Sequence, residues 1–97
     1  MDDPIALLDG AAKLMRDGAL ARAMQAFGAI AVAFPKHRGV CLAQIGAAHH
    51  QLGEFERAIT CYEEAIAAGC DAQIIQDNLD AARDGQMWRR LKNWEGF

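Results

Sequence analysis

The stretches GALARAMQAF (18–27) and GEFERAITCY (53–62) align without a gap at an offset of 35 residues. Gly18 matches Gly53, Leu20 matches Phe55, Arg22 and Ala23 match Arg57 and Ala58, Met24 matches Ile59, and Phe27 matches Tyr62. Upstream, Leu7 falls on Leu42 at the same offset. A period in this range is the mark of stacked supersecondary units. One duplicated unit therefore spans most of residues 4 to 70.

Within each unit the apolar spacing is helical. Ile5, Leu8, Ala12 and Met15 recur at three to four residues, as do Ala23, Phe27 and Ile30. Leu42, Ile45 and His49, then Ala58, Tyr62, Ala65 and Ile66, do the same in the second unit, and no period-2 pattern persists. Gly18 and Gly53 suit the left-handed turn that closes a first helix, Pro35 and Gly69 stop the second, and Asp3-Pro4 is a favourable helix entry. Helices are expected near 4–17, 19–33, 38–52 and 55–68. A fifth should begin at Asp71 or Ala72 and run to Trp94.

With these residues in place the chain resembles the tetratricopeptide repeat, whose pattern is Trp-x2-Leu-Gly-x2-Tyr, Gly, Ala-x3-Phe, Ala and Pro over about 34 residues. In the second unit Leu42 stands for the Trp, Ile45-Gly46 for Leu-Gly and His49 for the Tyr, followed by Gly53, Ala58, Tyr62 and Ala65, with Cys70 in place of the closing Pro. The first unit fits more loosely through Leu7, Gly10-Ala11, Leu14, Gly18, Ala23, Phe27, Ile30 and Pro35. Small residues at Gly46, Ala23 and Ala58 would let the helices cross closely, with Phe27 and Tyr62 filling the next gap. The implied fold is one all-α domain over 1–97, an alpha-alpha superhelix. Its parts would be repeat 1 at about 4–37, repeat 2 at about 38–71 and a C-terminal capping helix at about 72–94.

Proteins of this family bind a peptide or partner helix in the concave surface lined by the first helix of each pair. Carried onto this sequence, the groove would comprise Ile5, Leu8, Ala12, Met15 and Arg16, then Val40, Ala43, Ala47, His50 and Gln51, then Ile74, Asp77 and Ala81. Repeats that clamp a terminal carboxylate use Lys, Arg and Asn where Leu8, Ala12, Ala43 and Ala47 stand, so the expected ligand is an apolar peptide or amphipathic helix. The other reading is that Ile5, Leu8 and Met15 are core. A second apolar set, Met87, Trp88, Leu91 and Trp94, is interleaved with Arg89, Arg90 and Lys92. It folds back on the repeats or docks on a second copy or a partner, and a membrane-surface role is the weaker reading, since about ten residues and three cations are little for stable anchoring.

The formal net charge of −3 gives no support to phosphate binding, so no nucleic-acid partner is expected. Residues 1–82 hold six Lys/Arg against eleven Asp/Glu, and residues 83–97 four against two, which makes the end of the chain its basic part. Three cysteines, Cys41, Cys61 and Cys70, form no paired framework, and no segment reads as a signal peptide or a membrane span, so a cytoplasmic location is expected.

His37, His49 and His50 with the cysteines lack metal-ligand spacing, and no phosphate loop, nucleophile elbow or acid–base pair is found. The expectation is a non-enzymatic protein-binding adaptor or assembly factor without cofactor or metal. The alternatives are a small secretion-type chaperone, or a structural homo-oligomer such as a homodimer joined through the C-terminal helix.

Overall fold

The computed structural model describes residues 3–93, and among them all regular structure is helical. Five α-helices follow in order: α1 (Pro4–Arg16), α2 (Leu20–Ala33), α3 (Arg38–Gln51), α4 (Phe55–Ala67) and α5 (Ala72–Lys92), with a short 3-10 turn at Pro35–His37 between α2 and α3. Each helix packs chiefly on its neighbours in the chain, and α3 also touches α5. No described helix is long and apolar enough to cross a membrane.

Helix ends lie where the sequence signals them. The Asp3 carboxylate accepts from the Ile5 amide at 3.0 Å with Pro4 in the first turn, and Asp71 accepts from the Gln73 amide at 2.8 Å. Each satisfies an amide that has no partner within its helix. The ends of α1 and α3 share one device. After α1, Gly18 donates to the Met15 carbonyl and Ala19 to that of Leu14; after α3, Gly53 donates to His50 and Glu54 to His49. Gly18 and Gly53 sit at φ +81° and +75°. This is the Schellman closure, in which a left-handed residue lets the chain satisfy two trailing carbonyls and reverse. The same turn therefore recurs at the period read from the sequence.

Two core clusters result. Ala11, Ala23, Phe27, Ile30 and Cys41 form the first, between α1, α2 and α3. Ala58, Tyr62, Ile75, Leu79 and Ala82 form the second, between α4 and α5. Ala23 and Ala58 are wholly buried at matching positions, and Phe27 and Tyr62 are the matching large side chains. At Gly46 a Cβ would stand 2.8 Å from the Tyr62 ring, so the missing side chain is what admits the aromatic. Gly85 serves α5 in the same way, since a Cβ there would lie 2.5 Å from the Phe55 ring. That contact lets α5 continue along α4 to the level of the α3–α4 turn.

Candidate functional site

An apolar cleft of about 390 Å³ opens where α3 meets the α4–α5 turn and the start of α5. Gly39, Val40, Ala43 and Gln44 supply the α3 wall, Ala68 to Asp71 the turn, Ile74 and Ile75 the opposite wall, and Lys36 one rim. Local sequence explains the opening. Gly69, at φ +106°, ends α4 with the same closure as the other turns, Cys70 donating to the Ala65 carbonyl. The Cys70 thiol then fills the space beside Gly39, where a Cβ would come within 2.9 Å of Sγ. Val40 and Ile74 are 48% and 69% exposed, so the fold leaves two branched aliphatic side chains facing water across the cleft.

Of the expected groove residues, Val40, Ala43 and Ile74 converge on this cleft. Leu8, Ala12 and Met15 are half-buried against the first core cluster, while Ile5 and Arg16 are exposed on α1. Ala47 is half-buried and Gln51 exposed further along α3, and Asp77 and Ala81 lie exposed on α5. His50 packs edge-on against the Phe55 ring, 5.5 Å between centroids, which ties it to the α3–α4 turn.

The basic end of α5 divides in two. Arg89 is held within the chain, its guanidinium 4.8 Å from the Phe55 ring centre in a cation–π contact. Gln86, half-buried one turn earlier, donates to the Glu56 carboxylate at 3.1 Å. Met87, Trp88 and Leu91, at 50%, 66% and 49%, remain exposed. The first half of α5 therefore caps α4 through Ile75, Leu79 and Ala82 while the apolar side chains of its last turns stay uncovered. Trp94 lies outside the described residues.

His49 and Glu54 meet at 2.7 Å across the α3–α4 turn. An ionised carboxylate only accepts, so Nδ1 carries the proton. This hydrogen bond, with lesser help from the charges of His49 and Arg57, holds the Glu54 carboxyl below its usual value. Gln86 does the same for Glu56. Burial pushes up the Cys41 thiol, and burial with the Glu64 charge pushes up that of Cys61, so both are poor nucleophiles at neutral pH. Burial likewise raises the Tyr62 hydroxyl. Among the described residues no three His, Cys, Asp or Glu side chains gather as a metal site would require.

No protein-family model, curated protein or solved structure matches the chain.

The sequence reading did not find Gly39, Gly69 and Cys70 as cleft-forming residues. Gly69 was visible as a helix stop, but the approach of Cys70 to Gly39 is between residues 31 positions apart and has no local signature.

Proposed function

We propose that this chain is a tetratricopeptide-like pair of helical hairpins closed by a capping helix, and that it works as a cytoplasmic protein-binding module. Its ligand is an apolar segment of another polypeptide, seated as an amphipathic helix or extended strand in the cleft between α3 and α5. One observation carries the reading: Val40 and Ile74 stand exposed on facing walls of a 390 Å³ cleft whose floor is made of small residues. Exposed aliphatic side chains arranged around a concavity gain from burial by a ligand, each contributing roughly 1.5–3 kcal/mol when fully covered. Support for the repeat assignment comes from the duplicated Schellman turns and from the matched small and aromatic residues of the two hairpins.

The test is binding of fluorescently labelled, leucine-anchored amphipathic helical peptides, followed by polarisation. Val40→Glu and Ile74→Glu should each weaken binding by about tenfold or more, roughly 1.4 kcal/mol. Thr60→Glu, in a separate shallow depression beside Arg57 and Cys61, should leave it unchanged. Failure of every peptide to bind, or equal loss with all three variants, would overturn the reading.

A further inference from the structure

Helix α5 carries apolar side chains on two opposite faces. Ile75, Leu79 and Ala82 bury one face against α4. Ile74, Ala81, Trp88 and Leu91 recur at helical spacing on the other, all exposed. At 3.6 residues per turn the two rows lie about 150° apart, and the outer row is about 26 Å long. Its apolar groups are at its ends, with Asp77, Asp80 and Asp84 between them. One end, Ile74, is a wall of the cleft; the other, Trp88 and Leu91, projects freely.

A helix face that is apolar at both ends is complementary to itself when run antiparallel. We propose that a second copy of this chain occupies the cleft: two α5 helices pair antiparallel about a two-fold axis near Ala81, and the Trp88–Leu91 end of each copy enters the cleft of the other beside Ile74. The pairing is closed, so it stops at a dimer. At its two ends charge favours this register, because Lys92 of one copy arrives within a residue of the level of Asp71 on the other's cleft rim, and the basic end of the chain meets its acidic body. Antiparallel helices also oppose their dipoles. Two hairpins fall short of the three or so units that such arrays usually need, and the dimer covers the open side of the last helix.

The same register brings the two Asp80 side by side near the axis and sets Asp84 of each copy opposite Asp77 of the other. Their repulsion opposes association and gives it a signature: neutralising Asp84 strengthens the dimer. A partner segment must displace the second copy, so the dimer regulates the site proposed above. The inference rests on that cleft being a binding site, but its test contains no partner, and each can fail alone.

The experiment is light scattering of the full chain across a concentration series. The wild type should reach twice the 10.6 kDa chain mass. Trp88→Glu/Leu91→Glu should be monomeric with an unchanged helical circular dichroism spectrum. Ile74→Glu, at the far end of the row, should also be monomeric, which guards against misfolding of the first variant. Asp84→Asn should lower the dimerisation midpoint severalfold. A monomer at every concentration, a dimer indifferent to these changes, or a mass that climbs without limit would each overturn the proposal.

Discussion

The two hairpins share one turn geometry and differ in what surrounds it. Offset by 35 residues, Leu14 and Ala19 at the first turn correspond to His49 and Glu54 at the second. The backbone bonds are the same, yet among the described residues no side-chain hydrogen bond or ion pair is seen across the first turn. The second adds the His49–Glu54 hydrogen bond, the 3.8 Å Arg57–Glu54 ion pair and the Arg89 guanidinium from α5. The first hairpin also leaves Ile5 and Leu7 exposed on α1, whereas α4 is covered by α5. Backbone geometry thus sets the turns, and the added side-chain contacts and the cover of α5 should make the C-terminal hairpin the later of the two to open.

The sharpest way to break this comparison is to empty both cores. Tyr62→Ala and Phe27→Ala should each cost about 3–5 kcal/mol, a large part of what a domain of this size holds. Hydrogen exchange should separate them. Phe27→Ala should speed exchange first in α1 and α2, and Tyr62→Ala in α3 to α5. Uniform acceleration from either change would show that the two clusters are one cooperative unit.

Next in size are the matched small residues. Ala23→Leu and Ala58→Leu put a branched side chain where no exposure remains, and each should cost about 1–3 kcal/mol by urea denaturation. Ala58→Leu should cost more, because Ala58 packs among Tyr62 and the buried face of α5. Equal losses would mean that α5 yields to the added bulk.

Gly18→Ala and Gly53→Ala compare the turns directly. Both require an alanine at positive φ, a strain of about 1–2 kcal/mol. At Gly18 a Cβ meets nothing within 4 Å, but at Gly53 it would stand 2.6 Å from an Arg89 guanidinium nitrogen. Gly53→Ala should therefore cost only slightly more, through displacement of an exposed and flexible guanidinium from its place over Phe55, and that small excess should vanish in an Arg89→Met background.

These comparisons also show what was legible in the sequence. Gly18, Gly53, Ala23 and Ala58 announced helices, turns and close crossings because each acts within its own hairpin, through backbone conformation and short-range packing. The helix bounds came within about two residues for the same reason. The cleft was only partly legible. Val40, Ala43 and Ile74 were named from the groove positions that the tetratricopeptide resemblance implies, but the meeting of Gly39 with Cys70, the docking of Arg89 on Phe55 and the nearness of Gly85 to that ring join distant segments. Their identity depends on how α5 lies along α4, which no local spacing encodes. His49 shows the limit well: its position suggested a packing residue in place of tyrosine, and its ring is half-buried as packing requires. Its Nδ1, however, turns to a carboxylate five residues on.

The smallest effect expected is the pH dependence of that bond. Glu54 is held below its ordinary value near 4.5, chiefly by the His49 hydrogen bond, so the folded chain takes up this proton less readily than the unfolded one. The contribution is therefore complete above the unfolded value and is lost as pH falls through the lower folded value. Replacing Glu54 by Gln removes the charge and keeps an acceptor. The Tm of Glu54→Gln should fall below that of the wild type near pH 6, and the two should converge toward about pH 3. Glu56 moves in the same direction through Gln86, but it does so in both proteins and cancels in the difference. A Tm gap that stays constant with pH would mean that the carboxylate acts by shape alone, and the second turn would then owe its extra stability to Arg89 and Phe55.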